Sequence, residues 1–405
     1  LAGTLITTTD GSGVATFNDL SITLAGTNYT LSATTSGLAP LASNAFNITA
    51  GPVNNLVFAQ EPEPTYQAGE TITTTVLVRD QYNNPVSGTA VTITTTDGTL
   101  LNGQLAITSA SNGIATFTPM SITLVGNYAL SATAGAISAT STTLAITPDV
   151  PNNLVFVQQP PADTVAGAVI APAITVRLRD QFNNLVLQSG VPVSVTTTTQ
   201  LNGTTTTNTD TSGIATFNDL YITLTGTYVL TASAVTLLPA NSNNFNITAA
   251  PANNLTFTAQ PPVTATAGAT TISAQVTVTD AYNNPVPNAP VSVTTTTQLN
   301  GTTEVNSDGS GVAAFSGLSI TTTGTYQLAA RAGAIGPVNS SNFDVTPAPA
   351  DSLAFSTQPP ASAVAGATTI AAQVTVTDAY NNLVPNAPVS VTTTTQLNGT
   401  TTVNS

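Results

Sequence analysis

The stretch Val276-Thr-Val-Thr-Asp280-Ala-Tyr-Asn-Asn-Pro-Val286 has counterparts beginning at Val76, Val176 and Val374. The aspartates, Asp80, Asp180, Asp280 and Asp378, stand 100, 100 and 98 residues apart, the spacing of small domains repeated head to tail. Each copy begins as an alternating strand and runs into a turn. Ile272, Ala274, Val276 and Val278 would face a core while Ser273, Gln275, Thr277 and Thr279 face out. In the copy before it, Ile174, Val176 and Leu178 face in, and Arg177 and Arg179 point to solvent.

Three further landmarks keep the same period. A strand opener stands at Asn54–Phe58, Asn152–Phe156, Asn253–Phe257 and Asp351–Phe355. A Gly-x-Ala-x-Phe element ends at Phe17, Phe117, Phe217 and Phe315. A Gly-x-Tyr-x-Leu element is centred on Tyr128, Tyr228 and Tyr326, with one extra residue before Tyr29. No segment shows sustained helical periodicity. Short alternating strands separated by regular turn signals predict an all-β fold, a series of antiparallel β-sandwiches.

The repeat divides the chain into whole units at 51–148, 149–249 and 250–347. Residues 1–50 read as the C-terminal half of one more unit, and 348–405 as the N-terminal half of another. Ala365–Ser405 differs from Ala267–Ser307 only at Ser273/Ala371, Pro285/Leu383 and Glu304/Thr402, which marks recent duplication. The half units are expected of a window on a longer array; the alternative is that complementary halves of neighbouring copies pair. The joints, Thr49–Val53, Thr147–Pro151, Thr248–Ala252 and Thr346–Ala350, are short and carry proline, which fixes φ. They are expected to act as semi-rigid spacers of an extended rod.

Charge is sparse: 18 acids against 4 arginines, with no lysine or histidine, leave a net charge of −14. Without a basic patch, nucleic acid and anionic lipid are poor partners. Without His, Cys or Lys, the common general bases and nucleophiles are missing, so no enzyme activity is expected. Glu61 and Glu63 are a possible carboxylate pair, but they sit beside Pro62 and Pro64 in a loop that the other units do not repeat. No catalytic, cofactor-binding or metal-binding residue is therefore predicted, and no cofactor. No apolar run approaches the roughly 18 residues needed to cross a bilayer, so no membrane insertion of this segment is expected. Leu1–Asp10 lacks the regions of a signal peptide. A threonine-rich, lysine-free β protein reads as extracellular or cell-surface, exported by a signal outside this chain.

The motifs resemble the bacterial immunoglobulin-like repeats, group 1, of invasin- and intimin-type surface proteins. The resemblance rests on Val276–Val286, on Thr209-Asp-x-x-Gly-x-Ala215 and on Gly226-x-Tyr-x-Leu-x-Ala232, and it extends over every unit. Asn83, Asn183, Asn283 and Asn381 stand where that family usually has a turn glycine, and asparagine tolerates the same left-handed turn. The resemblance implies tandem Ig-like sandwiches of about 98–100 residues that form rod-like stalks or fibres. It also implies that the Gly-x-Tyr tyrosines are corner residues whose hydroxyls bond back to nearby backbone.

Asp80, Asp180, Asp280 and Asp378 are the obvious calcium candidates. Calcium wants six to eight oxygens, and no Asp-x-Asp cluster accompanies these residues, so Asx turns are the expected role. Asp10, Asp210 and Asp308 read the same way. Asn-x-Ser/Thr sequons at Asn28, Asn47, Asn202, Asn246, Asn254, Asn300, Asn339 and Asn398 are candidate sugar sites if the source cell glycosylates. The function this supports is a structural stalk or filament subunit of a microbial surface, with other copies of itself as partners. The alternative is an adhesin-type module that holds a cell-surface glycan or receptor through loop ends such as Gln81–Pro85 and the Gln-Leu-Asn-Gly turns.

Overall fold

Alternation becomes burial residue by residue. Along Ile272–Thr279 the apolar positions Ile272, Ala274, Val276 and Val278 are all buried, while the threonines and polar residues between them are exposed or half-buried. The structure is a computed structural model that describes residues 1–366, 370–393 and 402–404. Throughout these the chain is all-β.

Each whole unit is a sandwich with the same pairing scheme. In 149–249, Ile174–Arg179 lies between Asn153–Gln158 and Ile214–Phe217, antiparallel to both. The opposite face is built from Pro192–Thr196, flanked by Thr206–Asn208 and Thr231–Ser233, and from Gly226–Tyr228 paired with Phe245–Thr248. One short pairing is parallel: Asp163–Val165 runs beside Phe245–Thr248 and closes the sheet edge. The same pairings recur in the other two whole units, for example Thr65–Gln67 beside Leu144–Thr147 and Thr264–Thr266 beside Phe343–Thr346.

The side chains sort into three separate cores, one per whole unit. Phe117, Phe217 and Phe315 occupy equivalent central places and are at most 2% exposed. Burying such a ring contributes roughly 1.5–3 kcal/mol, so each core holds its own unit together. The equivalent Phe17 in the 1–50 segment is 43% exposed.

The outer face departs from the sequence reading at the arginines. Arg177 and Arg179 are half-buried rather than free in solvent, and their Nε atoms are covered without a partner. Their long aliphatic stems cover sheet surface, and Arg179 Nη1 donates to the Asn183 carbonyl at 2.6 Å.

Candidate functional site

The four repeated turns are where the sequence concentrates polar residues, and the structure buries them. Asp80, Asp180, Asp280 and Asp378, with Asn84, Asn184, Asn284 and Asn382, are all buried. In each turn the first asparagine carries the left-handed backbone: φ is 66° at Asn83, 71° at Asn183, 65° at Asn283 and 66° at Asn381. The aspartate then acts as the hub. Asp180 Oδ1 accepts the backbone N–H groups of Phe182 and Asn184 at 2.9 and 2.8 Å. Its Oδ2 accepts the Asn184 amide at 2.8 Å and the backbone N–H of Asp149, in the joint, at 3.0 Å. Four donors thus occupy this carboxylate, which is the Asx turn expected and more.

The second asparagine reaches into the preceding unit. Asn184 Nδ2 donates to the Thr123 carbonyl at 2.7 Å, and Asn184 Oδ1 accepts from the Val125 N–H at 3.2 Å. The arrangement repeats at every joint. Asn84 takes Thr23 and Ala25 at 2.7 and 2.8 Å; Asn284 takes Thr223 and Thr225 at 2.7 and 3.0 Å; Asn382 takes Thr321 and Thr323 at 2.7 and 3.1 Å. A primary amide that both donates to and accepts from one short bend of the chain fixes orientation as well as distance.

The aromatic residue of the turn completes the contact. Phe182, Tyr282 and Tyr380 lie against Gly69, Gly167 and Gly268 of the preceding unit. A Cβ on those glycines would stand 2.4 Å from Phe182 Cζ, 2.0 Å from Tyr282 Oη and 2.0 Å from Tyr380 Oη. Only a residue without a side chain leaves room for the ring. Each unit therefore offers a glycine seat and a pair of backbone groups at one end, and a turn that fills the same features at the other.

Burial alone would raise the Asp80 carboxyl, but the Asn84 amide and the N–H groups of Gly51, Asn84 and Tyr82 outweigh it and bring the group down to about 2. Asp280 and Asp378 are lowered for the same reasons. A depressed carboxyl contributes stability that is complete above its ordinary value of 3.8 and lost as pH falls through about 2. Acidification from about pH 4 to about pH 2 is therefore expected to loosen the joints at Asp80, Asp280 and Asp378 progressively. Asp80→Asn should lower stability at neutral pH and flatten the melting profile below about pH 4. Profiles that fall in parallel would contradict this.

The other motif residues do structural work. Tyr128, Tyr228 and Tyr326 donate to the carbonyls of Leu124, Leu224 and Thr322 at 2.9–3.1 Å, closing the corner that the resemblance implied. Asp10, Asp210 and Asp308 accept backbone N–H groups of their own turns. Glu61 receives the Thr142 N–H at 2.9 Å, and Gln159 and Gln260 do the same for Asn243 and Ser341. Its carboxylate is thus a loop brace that an amide replaces in the other units. Glu63 is not brought into any shared site with it: its backbone N–H donates to the Tyr66 hydroxyl. The loop Gln81–Pro85, a candidate ligand loop in sequence, belongs to the joint through Asn84. The sequon at Asn398 lies outside the described residues.

Among solved structures, the chain is similar to invasin, a bacterial integrin-binding protein, at 17% identity over 75% of this chain and 62% of that one, with a TM-score of 0.36. It is also similar to FdeC, an Escherichia coli adhesin, at 17% identity over 74% of this chain and all of that one, TM-score 0.33. InvD of Yersinia pseudotuberculosis matches at 17% identity over 72% and 96%, TM-score 0.33. The likeness is to bacterial surface proteins. No family model matches the sequence. What defines the sandwiches is the strand pairing and the three cores of this chain itself.

Proposed function

We propose that the chain is a load-bearing segment of an extracellular stalk or filament on a microbial surface. Its units are 51–148, 149–249 and 250–347, and they stand in line as an extended rod. The observation that carries this is the joint, repeated four times with the same partners and nearly the same distances. A flexible tether has no use for an amide clamp and a glycine seat between neighbours, because those contacts cost conformational freedom and return only fixed orientation. The proline-bearing spacers shorten the connection, and the turn holds it. The mechanism is mechanical, with no catalytic step and no cofactor.

The surface suits that role. Sparse charge with a net negative sign and exposed threonine keep neighbouring rods from sticking nonspecifically. Self-association and receptor binding are both compatible with a stalk: Asn84 is committed to the joint, while Gln81, Tyr82, Asn83 and Pro85 of the same loop stay exposed. Electron microscopy of the purified chain tests the reading. Straight rods of uniform length, or thin polymers of them, are expected; strings of beads with freely varying angles would contradict it.

A further inference from the structure

In the unit 250–347 one antiparallel strand pair is interrupted partway along. Gly324–Tyr326 pairs with Phe343–Thr346, the same hairpin resumes past a break as Ala329–Ala332 with Ile335–Asn339, and only beyond the break does Pro290–Thr294 join as a second neighbour. A cleft of about 400 Å³ lies at this break. Its walls are Thr294, Thr295, Thr296, Tyr326, Asn339 and Asn342 among others, and no charged side chain lines it. Next to the cleft, buried Leu328 and Ser340 hold the two strands together across the break, with Leu328 N–H to Ser340 Oγ at 2.9 Å.

The Thr295 hydroxyl is covered and has no hydrogen-bond partner among the described residues, and the same is true of Thr197, its equivalent in the preceding unit. The third unit shows what belongs there. Its equivalent, Thr95, donates to the Thr99 carbonyl at 2.7 Å. That carbonyl is supplied by a longer loop: seven residues lie between Thr94 and Asn102, against five between Thr196 and Asn202. Where the loop is shorter the acceptor is missing and the hydroxyl is left over. Buried hydroxyls are otherwise paired, so the Thr295 hydroxyl, in the wall of the cleft, is left to find its partner outside the chain.

We propose that this cleft binds a neutral saccharide, one or two sugar rings, with a ring hydroxyl pairing with the Thr295 hydroxyl that has no carbonyl of its own. The lining supplies hydroxyls and amides, which both donate and accept, and a tyrosine beside them, the set that a polyol requires. The volume lies within the range of small-molecule sites. An acidic sugar finds no cation in the lining. In 149–249 the same residue types recur as Thr197, Tyr228, Asn241 and Asn244; in 51–148 Thr140 and Thr143 replace the two asparagines. Thr295 brings its oxygen to the ligand by a rotamer change about χ1. The proposal goes beyond the stalk reading and does not depend on it.

Saturation-transfer NMR on the whole chain tests the site, with galactose, N-acetylglucosamine and maltose as neutral probes and N-acetylneuraminic acid as the anionic comparison. Transfer to at least one neutral probe is expected, with a Kd on the order of 1 mM. Thr197→Val with Thr295→Val keeps the side-chain shape, removes both hydroxyls and should weaken binding about tenfold. Asn244→Ala with Asn342→Ala, both exposed, should also weaken it while leaving the melting temperature unchanged. No transfer to any neutral probe, which would mean the vacancy holds water only, overturns the proposal. So does transfer that both double variants leave intact, or binding restricted to the acidic sugar.

Discussion

Gly167→Ala is expected to unlock the joint between the units 149–249 and 250–347, whereas Gly190→Ala, in the same unit, is expected to leave it closed. Both glycines have left-handed backbone, φ 78° and 81°, so both substitutions carry a similar backbone cost of about 1 kcal/mol. They differ in what the new methyl meets. At Gly190 nothing lies within 4 Å; at Gly167 the Cβ would stand 2.0 Å from Tyr282 Oη and 2.4 Å from its Cζ. The ring has to leave its seat, and with it goes roughly 1–2 kcal/mol of partial aromatic burial. That difference amounts to about a tenfold change in how often the joint stands open.

Asn284→Ala reaches the same state by removing the clamp. It orphans the Thr223 carbonyl and the Thr225 N–H and takes one donor from Asp280. An unpaired buried polar group costs about 1–3 kcal/mol, but Thr223 and Thr225 are only half-buried, and opening the joint gives them to water. The variant should therefore loosen the joint while the melting of each unit stays within a few degrees. Asn284→Asp should be worse still, since it sets a second carboxylate 2.8 Å from Asp280 Oδ2.

The largest effect on stability is expected from Phe217→Ala. Phe217 is 1% exposed and pairs across to Ile174 in the centre of its core. Removing a buried phenylalanine ring costs about 3–5 kcal/mol, a third or more of what a domain of this size has to lose. The unit 149–249 should melt on the order of 15–25 °C lower. The cores around Phe117 and Phe315 are separate clusters, so calorimetry should resolve a single early transition and leave the others in place. A uniform downward shift of every transition would show that the units fold as one body and would remove the basis for treating them as links.

Some of this architecture was legible in the sequence because it depends on local rules. The alternation in Ile272–Thr279 maps directly onto burial, the Gly-x-Tyr tyrosines find the carbonyls four residues upstream, and the first asparagine of each turn takes positive φ. The joint was not legible for a specific reason. Asn184 recognises Thr123 and Val125 through their backbone atoms, about 60 residues away, and backbone groups leave no mark in the residue alphabet. One signal was available. A left-handed turn needs one asparagine, yet the turns carry two in succession at Asn83-Asn84, Asn183-Asn184, Asn283-Asn284 and Asn381-Asn382. The second is unexplained by turn chemistry and had to have a side-chain role. The cleft was hidden similarly, since it lies at a break in one strand pair, and period-two alternation is blind to where a ladder is interrupted.

The turn first read as a device that ends one strand and begins the next is therefore also the device by which each unit grips the one before it. The chain contains no cysteine, so a pair of introduced thiols can be spin-labelled without background. Thr116→Cys and Thr216→Cys place labels on exposed, equivalent positions of the units 51–148 and 149–249, across one joint. Pulsed dipolar spectroscopy on this pair is the most direct test. A locked joint predicts a single narrow distance distribution that broadens when Asn184→Ala is added. A distribution already broad in the parent, and unchanged by Asn184→Ala, would contradict the account.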